Sequence, residues 1–299
     1  MFIKDTQTLK FPTNTFETLE AEIAVTEYPD KNFADLVPVR QVPANTETLA
    51  SLTVDYRGKA KPVSGIPGEA LPKIDFSASK DTISVLDFGF AYDITQPDLR
   101  ATANGNLDVL RTKLEAGSFV ERSTLYDMAI EGNADMGVLG LKNIDVPSSD
   151  VPATARFIPA TSAQDMVNSF MAGFNAVAVQ TQNTRTPDTV VMPIKVHQAL
   201  TGAVFGDSGR TALGAIQESV TLQAGRPIRI VVNSSFTNDI LFYQYAPDVL
   251  RMYMAQPLTY FTPQPTDLGW KVPAMFRFSP IQMRFRPAFH RLTKVLTAT

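Results

Sequence analysis

The stretch from Phe119 to Asn143 constrains the fold of this chain more than any other part of it. Its first half indicates the end of a long helix, which Gly132 stops because glycine adopts the left-handed conformation of a helix C-terminus at little cost. The second half contains Gly137-Val-Leu-Gly-Leu-Lys-Asn143, a Gly-x-x-Gly-Leu-x-Asn turn. The sequence therefore predicts a long helix that ends in a tight turn.

Apolar residues at helical spacing predict the helix before Gly132. They form one interrupted stripe: Leu107, Leu110, Leu114, Leu125 and Met128. About twenty-five helical residues would span ~37 Å. We expect Leu114 to lie on the buried side of this helix and Gly117-Ser118 to bend it.

Two alternating segments earlier in the chain predict a long β-hairpin. Leu52, Val54 and Tyr56 alternate with polar residues, and Ile74, Phe76 and Ala78 do the same. A period of two is typical of strands with one covered face. The tip from Gly58 to Pro72 is too long for a tight hairpin turn, and loops of this length usually have a function.

A second folding unit begins near Pro147. Ser162 and Asp165 resemble a helix-capping pair, and the following apolar stripe has helical spacing: Met166, Phe170, Phe174 and Val177. Strands are predicted at 189–192, 228–232 and 240–245, with helices from Pro193 to Leu200 and over 211–219. Extended segments follow at 258–261, 270–278 and 281–285. This order predicts an α+β fold in which a second domain interrupts the first, and the C-terminus completes the first.

Residues 1–48 indicate an arm. Thr15 to Ala24 could form a short helix with Thr15 as its cap, and the remainder is extended and broken by proline. Glutamates lie on the solvent side of that helix: Glu17, Glu20 and Glu22. An arm with so little core of its own is expected to lie on another surface.

Charge is unevenly distributed, although the net charge is only −3. Residues 1–35 hold three lysines and many acids: Asp5, Glu17, Glu20, Glu22, Glu27, Asp30 and Asp35. Residues 270–299 hold no acid and several cations: Lys271, Arg277, Arg284, Arg286, Arg291 and Lys294. Three interpretations stay open, namely solvated strand faces, a basic surface facing nucleic acid, and complementary ends that meet between subunits.

No residue pattern in the chain predicts catalysis, a cofactor or a metal. The absence of cysteine excludes disulfides and thiolate metal sites. His197 and His290 lack histidine partners in sequence, and Asp145 and Asp150 are ordinary loop acids. Gly206-Asp-Ser208-Gly is similar to a serine-protease signature, but Arg210 replaces the next expected glycine. The chain is predicted not to be an enzyme.

No apolar run approaches the ~20 residues that a membrane-spanning helix needs. The first residues lack the apolar core of a signal peptide. We therefore expect no membrane partner and synthesis in the cytoplasm.

Four motifs, in their order, resemble the major capsid proteins of tailed double-stranded-DNA bacteriophages, of the Johnson-type capsid fold and its encapsulin-like branch. They are residues 56–61, 71–75, 131–143 and 189–193. The resemblance implies an N-terminal arm (1–48) and an extended β-hairpin loop (49–82). It also implies a peripheral domain (83–146 and 247–299) with a long spine helix at about 105–132, and an inserted α/β axial domain (147–246).

This resemblance implies a structural protein that self-assembles through pentamers and hexamers into an icosahedral head. Implied partners are the chain itself, packaged double-stranded DNA bound without sequence preference, and a separate scaffolding protein, a portal and a decoration protein. The protein would be found in the virion after synthesis in the host cytoplasm. An encapsulin-type compartment that encloses a cargo enzyme is the main alternative, and a soluble enzyme is a further one.

The resemblance also implies candidate contact residues. Candidates for contact between subunits are Tyr56, Arg57, Lys59, Lys61 and Lys73. Candidates for lumenal or intersubunit charge are Arg284, Arg286 and Arg291. Since Arg284 and Arg286 are two residues apart in a predicted strand, we expect them to share one strand face.

Overall fold

The computed structural model describes residues 33–59, 73–103, 109–206 and 209–296. Helices and strands are mixed along these residues, which confirms the predicted α+β class. Several predictions fall elsewhere: the helix at 15–24, most of the loop tip with Lys61, Leu107, and Ser208. The side chain of Leu110 is likewise outside the description.

The strands have these bounds in chain order: β1 Val39–Gln41, β2 Thr48–Arg57, β3 Asp75–Ser84, β4 Leu86–Thr95, β5 Gly132–Asn133, β6 Val138–Leu139, β7 Ser148–Asp150, β8 Thr189–Met192, β9 Arg229–Val232, β10 Ile240–Tyr243, β11 Leu250–Tyr260, β12 Gln264–Thr266, β13 Gly269–Phe278, β14 Gln282–Met283 and β15 Phe289–Thr293. The α-helices are α1 Gln96–Ala103, α2 Val109–Ile130, α3 Ala163–Gln180, α4 Ile194–Gly202 and α5 Ala212–Ala224. Short 3-10 helices lie at Phe33–Asp35, Ala153–Ala155 and Arg286–Ala288.

One sheet is built around β13. Strand β4 pairs along one edge of β13, β11 and β12 pair along the other, and β1 and β14 pair with β11. The ring of Phe88 stacks on those of Phe276 and Phe278, with centroids 5.7 and 4.7 Å apart. This apolar layer belongs to the same buried cluster as the C-terminal half of α2.

The second sheet has the strand order β7-β15-β10-β8-β9 and is covered by α3, α4 and α5. All four residues of β8 are buried, and so are the predicted stripe residues Met166, Phe170, Phe174 and Val177. The hydroxyl oxygen of Ser162 accepts a hydrogen bond from the backbone N–H of Asp165 at 3.2 Å. The predicted cap and apolar stripe of this helix are thus confirmed.

The last strand joins the second sheet instead of the first. Strand β15 pairs antiparallel with β10 and parallel with β7. Leu292 is buried in the same cluster as α3. The sequence prediction assigned all of 247–299 to the first domain. In the structure, β15 lies between β7 and β10, and its buried residue Leu292 packs in the apolar core of the second sheet.

Helix α2 is the predicted long helix, but its N-terminal half is largely exposed. Leu125 and Met128 are buried, whereas the side chain of Leu114 is 42% exposed. The prediction that Leu114 is buried is therefore wrong. The stripe keeps its helical spacing, but the buried residues that α2 contributes to this apolar cluster begin at Leu125.

Gly117 allows a close approach between α2 and β11. A Cβ atom at Gly117 would lie 2.4 Å from the hydroxyl oxygen of Tyr260 and 3.2 Å from the ring of Phe90. Helix α2 continues through this position from Val109 to Ile130. Gly117 therefore provides a packing site for an aromatic ring within this helix. The bend expected at Gly117-Ser118 stays a prediction.

The glycine turn after α2 forms as predicted. Gly132 has a φ of 73°, and a Cβ atom there would lie 2.4 Å from the backbone nitrogen of Gly140. Strands β5 and β6 pair across this turn, and the backbone N–H of Leu141 donates to Ala129 O at 2.9 Å. The side-chain amide of Asn143 donates to Glu131 O at 2.8 Å. The motif therefore ties the end of α2 to the chain that follows it.

Candidate functional site

Strands β2 and β3 form a long hairpin and are each ten residues long. They pair antiparallel in continuous register from Thr48↔Ser84 to Arg57↔Asp75. Ten strand residues extend about 33 Å. The predicted hairpin is confirmed, and its strands are longer than the alternating segments had indicated.

One face of this hairpin is apolar and exposed. Residues directly opposite each other in an antiparallel pair project to the same face, so Tyr56 and Phe76 lie together, as do Val54 and Ala78. The side chains of Leu52, Tyr56 and Phe76 are 59%, 81% and 67% exposed. The period-two pattern predicted a covered face, and within the described residues of one chain this face is uncovered.

The opposite face of the hairpin is polar. It comprises pairs such as Thr53 with Ser79 and Ser51 with Asp81. A two-stranded hairpin is marginally stable in water unless another surface packs on it. An exposed apolar patch with a polar rim is typical of a protein interaction site. We call the apolar side the hairpin face: Leu52, Val54, Tyr56, Phe76 and Ala78.

The side chain of Gln282 anchors the base of the hairpin. Its amide group donates to the hydroxyl of Ser51 at 2.8 Å and to a carboxylate oxygen of Asp81 at 3.2 Å. Its carbonyl oxygen accepts from Nε of Arg251 at 3.0 Å, and the Arg251 guanidinium lies 4.9 Å from the ring centroid of Tyr253. Burial lowers the pKa of Arg251.

A second contact at the base comes from Arg284, which donates to Leu52 O at 3.4 Å. The sequence did not reveal Gln282, Arg251 or Ser51 as anchoring residues. Their partners lie far away in sequence, so no local spacing could have identified them.

The predicted contact residues have distinct positions. Tyr56 lies on the hairpin face, and Arg57, Lys59 and Lys73 are exposed toward the tip. Lys61 is outside the described residues. The hairpin thus carries its predicted aromatic contact on an open surface.

The three candidate arginines near the C-terminus bind other parts of the same chain. Arg286 forms an ion pair with Asp145 and donates to Asp145 O at 2.7 Å. Arg291 donates to the carbonyl oxygens of Leu141 and Ile144, both at 3.2 Å. Burial is the main cause that lowers the pKa of Arg291, and the nearby carboxylates oppose it.

Arg284 and Arg286 do not share a strand face. Strand β14 ends at Met283, and Arg286 begins a 3-10 helix in which Pro287 follows. The expected strand over 281–285 is therefore wrong in its extent, because the chain turns before Arg286 to lead into β15.

Other C-terminal cations form ion pairs with acids outside the arm. Arg277 pairs with Asp87 and Lys294 pairs with Asp150, each at 2.5 Å. Arg277 also donates to the backbone oxygen of Ala44, which is a residue of the arm. The described arm residue Asp35 pairs with Arg229 at 2.8 Å. Among the described residues, these ion pairs do not join the acidic arm to the basic C-terminus.

His290, Asp145 and Asp150 each contact other side chains of the same chain. His290 is buried, with Nε2 2.9 Å from the hydroxyl of Ser149 and Nδ1 3.0 Å from the side-chain amide of Gln180. Asp145 and Asp150 each face a cation of their own. Across the described ranges, no group of histidine and carboxylate side chains has the arrangement of a metal site. None of the helices in the described ranges combines the length and the hydropathy of a membrane-spanning segment.

Sequence comparison relates most of this chain to one family. The model of the family described as "Major capsid protein" matches residues 58–295. No curated protein matches the chain in sequence.

Solved structures share its fold at low sequence identity. The capsid of Myoviridae phage XM1 has a TM-score of 0.78 and 17% identity, over 91% of this chain and 94% of that one. The capsid of a native GTA particle has a TM-score of 0.62 and 16% identity, over 93% and 94% of the two chains. A virus-like particle from Pyrococcus furiosus has a TM-score of 0.53 and 14% identity, over 86% and 89%. The anchored hairpin therefore lies in a chain whose fold is that of shell-forming subunits.

Proposed function

The chain belongs to the major capsid protein family and is a structural subunit of a phage head shell. We propose that it assembles through pentamers and hexamers into an icosahedral head around double-stranded DNA. The proposal extends to the virion as its location and the host cytoplasm as its place of synthesis. It further assigns the chain no enzymatic activity, since the family is structural.

The exposed hairpin face carries this proposal. Its residues are apolar and open, although the strand pattern is that of a covered surface. Fully burying one large apolar side chain contributes about 1.5–3 kcal/mol. A second copy of the chain can supply the cover, and in a closed symmetric shell many such contacts act together.

Within this proposal, Tyr56 makes the apolar contact and Arg57, Lys59, Lys61 and Lys73 form the polar border around it. The proposed domains are the arm (1–48), the hairpin loop (49–82), the peripheral domain (83–146 and 247–288) and the axial domain (147–246). Strand β15 is assigned to the axial domain on the basis of its pairing.

Packaged DNA is a proposed partner, bound through backbone phosphates without sequence preference. Of the three candidate arginines, Arg286 has the most exposed side chain. Arg284 and Arg291 are less exposed and donate hydrogen bonds to backbone oxygens of the same chain. A scaffolding protein, a portal and a decoration protein are further proposed partners.

Replacing Tyr56 and Phe76 together with serine tests the proposal. We expect folded subunits that fail to form shells, measured by size-exclusion chromatography and electron microscopy. The matched control replaces Thr53 and Ser77, on the polar face of the same hairpin, with alanine and should still assemble. Shells of normal yield from the Tyr56/Phe76 variant would contradict the role of the hairpin face. The contents of the wild-type particles, nucleic acid or a protein cargo, separate a phage head from an encapsulin-type compartment.

A further inference from the structure

An apolar groove runs along α4, away from the hairpin. Its volume is about 960 Å³, and it is bounded by the 157–159 segment, α4, the 234–238 turn and Leu296. Its walls include Phe157, Pro159 and Phe236. Ile194 lies in the groove and is 48% exposed, although most isoleucines are buried in proteins. The size and lining suit a few apolar side chains.

One side of this groove is polar and positively charged. Lys195 and Gln198, both exposed on α4, line it beside Asn238. A suitable occupant therefore combines an apolar stripe with an acidic border.

A segment of the arm has that pattern. Phe16, Leu19 and Ile23 follow the i, i+3, i+7 spacing with which an amphipathic helix occupies an apolar groove. On a helical wheel Glu20 and Glu22 border this stripe on its two sides. Residues 1–32 lie outside the described part of the chain, so this pattern is taken from the sequence.

The position of the following residues allows the arm to reach the groove. The hydroxyls of Tyr243 and Tyr245 donate to Leu36 O and Ala34 O, both at 2.7 Å, which holds the chain at one end of β9 and β10. The groove lies at the other end of these strands, beyond Val232. Four strand residues extend only ~13 Å, whereas the residues between Ala24 and Phe33 can span about 30 Å.

We propose that residues 15–24 of the chain's own arm dock as a short helix in the groove along α4. Phe16, Leu19 and Ile23 contact its apolar walls, and Glu20 faces the side of the groove that holds Lys195. A helix this short is marginal in water by itself, so it gains its order from the groove. This inference goes beyond the shell function and does not rest on it.

Cross-linking tests the proposal directly, because the chain contains no cysteine. The variant Glu20→Cys, Gln198→Cys is treated with a short bis-maleimide and analysed by denaturing gel and peptide mass spectrometry. The control pairs Glu20→Cys with Gln217→Cys, an exposed position on α5, which does not line the groove. We expect an intramolecular product that the control lacks.

A second measurement uses the full chain with single substitutions. Ile194→Asp places a charge in the groove. Val204→Asp is the control: it places a charge outside the groove, at a side chain of similar exposure, 45%. Amide hydrogen exchange at residues 16–23 should be slow in the wild type and in Val204→Asp, and fast in Ile194→Asp. Equal exchange in all three would overturn the proposal. An intermolecular cross-link would also overturn it, because the segment would then occupy the groove of a second copy. The absence of any cross-link would overturn it as well.

Discussion

The side-chain amide of Gln282 lies 2.8 Å from the hydroxyl oxygen of Ser51, joining β14 to the base of a hairpin that is distant in sequence. The same amide group also contacts Asp81, and the carbonyl oxygen of Gln282 binds Arg251. Gln282 thus contacts both strands of the hairpin from the first sheet.

Gln282→Leu should destabilise the chain by about 1–3 kcal/mol, because it leaves Arg251 and Ser51 without a buried partner. Urea unfolding measures the change. Gln264→Leu, on the exposed strand β12, is the control and should have little effect. Equal stability of both variants would show that the contact is dispensable.

Two leucines of α2 should respond differently to truncation. Leu125 is buried, so Leu125→Ala should cost about 2–5 kcal/mol. Leu114 is exposed, so Leu114→Ala should change the unfolding free energy by less than about 1 kcal/mol. Chemical unfolding of the two variants checks this, and similar losses would place Leu114 in a core.

Glu121 should make stability depend on pH. Its carboxylate accepts from the backbone N–H of Leu258 at 3.2 Å, and burial raises its pKa above the usual 4.5. Because the pKa of Glu121 is higher in the folded state, folding favours the protonated carboxyl. The chain is therefore more stable at low pH, and this stability is lost as pH rises through the folded pKa. Glu121→Gln should therefore be more stable than the wild type at pH 7, with the difference closing in acid. Thermal unfolding across pH, with the exposed Glu115→Gln as control, tests this; a constant difference would refute it.

His290 should act in the opposite direction. Burial lowers the pKa of His290 below 6.5. As pH falls, the imidazole of the unfolded chain is therefore protonated before that of the folded chain. Its contribution is present above pH 6.5 and is lost as pH falls. Between pH 7 and 5 the wild type should lose more stability than His290→Gln, as measured by melting temperature. His197→Gln serves as the control and should follow the wild type.

Arg284 and Arg286 should respond differently to substitution. Arg286→Gln breaks an exposed ion pair with Asp145, and such pairs contribute about 0–1 kcal/mol. Arg284→Gln removes a contact with Leu52 O at the hairpin base. We expect the Arg284 variant to impair shell assembly more than the Arg286 variant, as judged by particle yield. Equal yields would indicate that neither contact positions the hairpin.

Local patterns of the sequence predicted the elements whose structure is set by near neighbours. The alternation around Tyr56 and Phe76, the stripe from Met166 to Val177 and the turn at Gly132 each depend on backbone geometry within a few residues. The resemblance to capsid proteins rested on residues 56–61, 71–75, 131–143 and 189–193, and the family match bears it out.

Tertiary structure decided which surfaces are covered and which distant groups meet. The spacing of Leu114 is that of a buried residue, yet the core ends before it reaches that turn of α2. Strand β15 belongs to the second sheet because its pairing partners are there, and Gln282 meets Ser51 only when the sheet brings them together. Burial and long-range hydrogen bonds depend on the packing of whole elements, whereas periodicity reports only which side of an element is apolar.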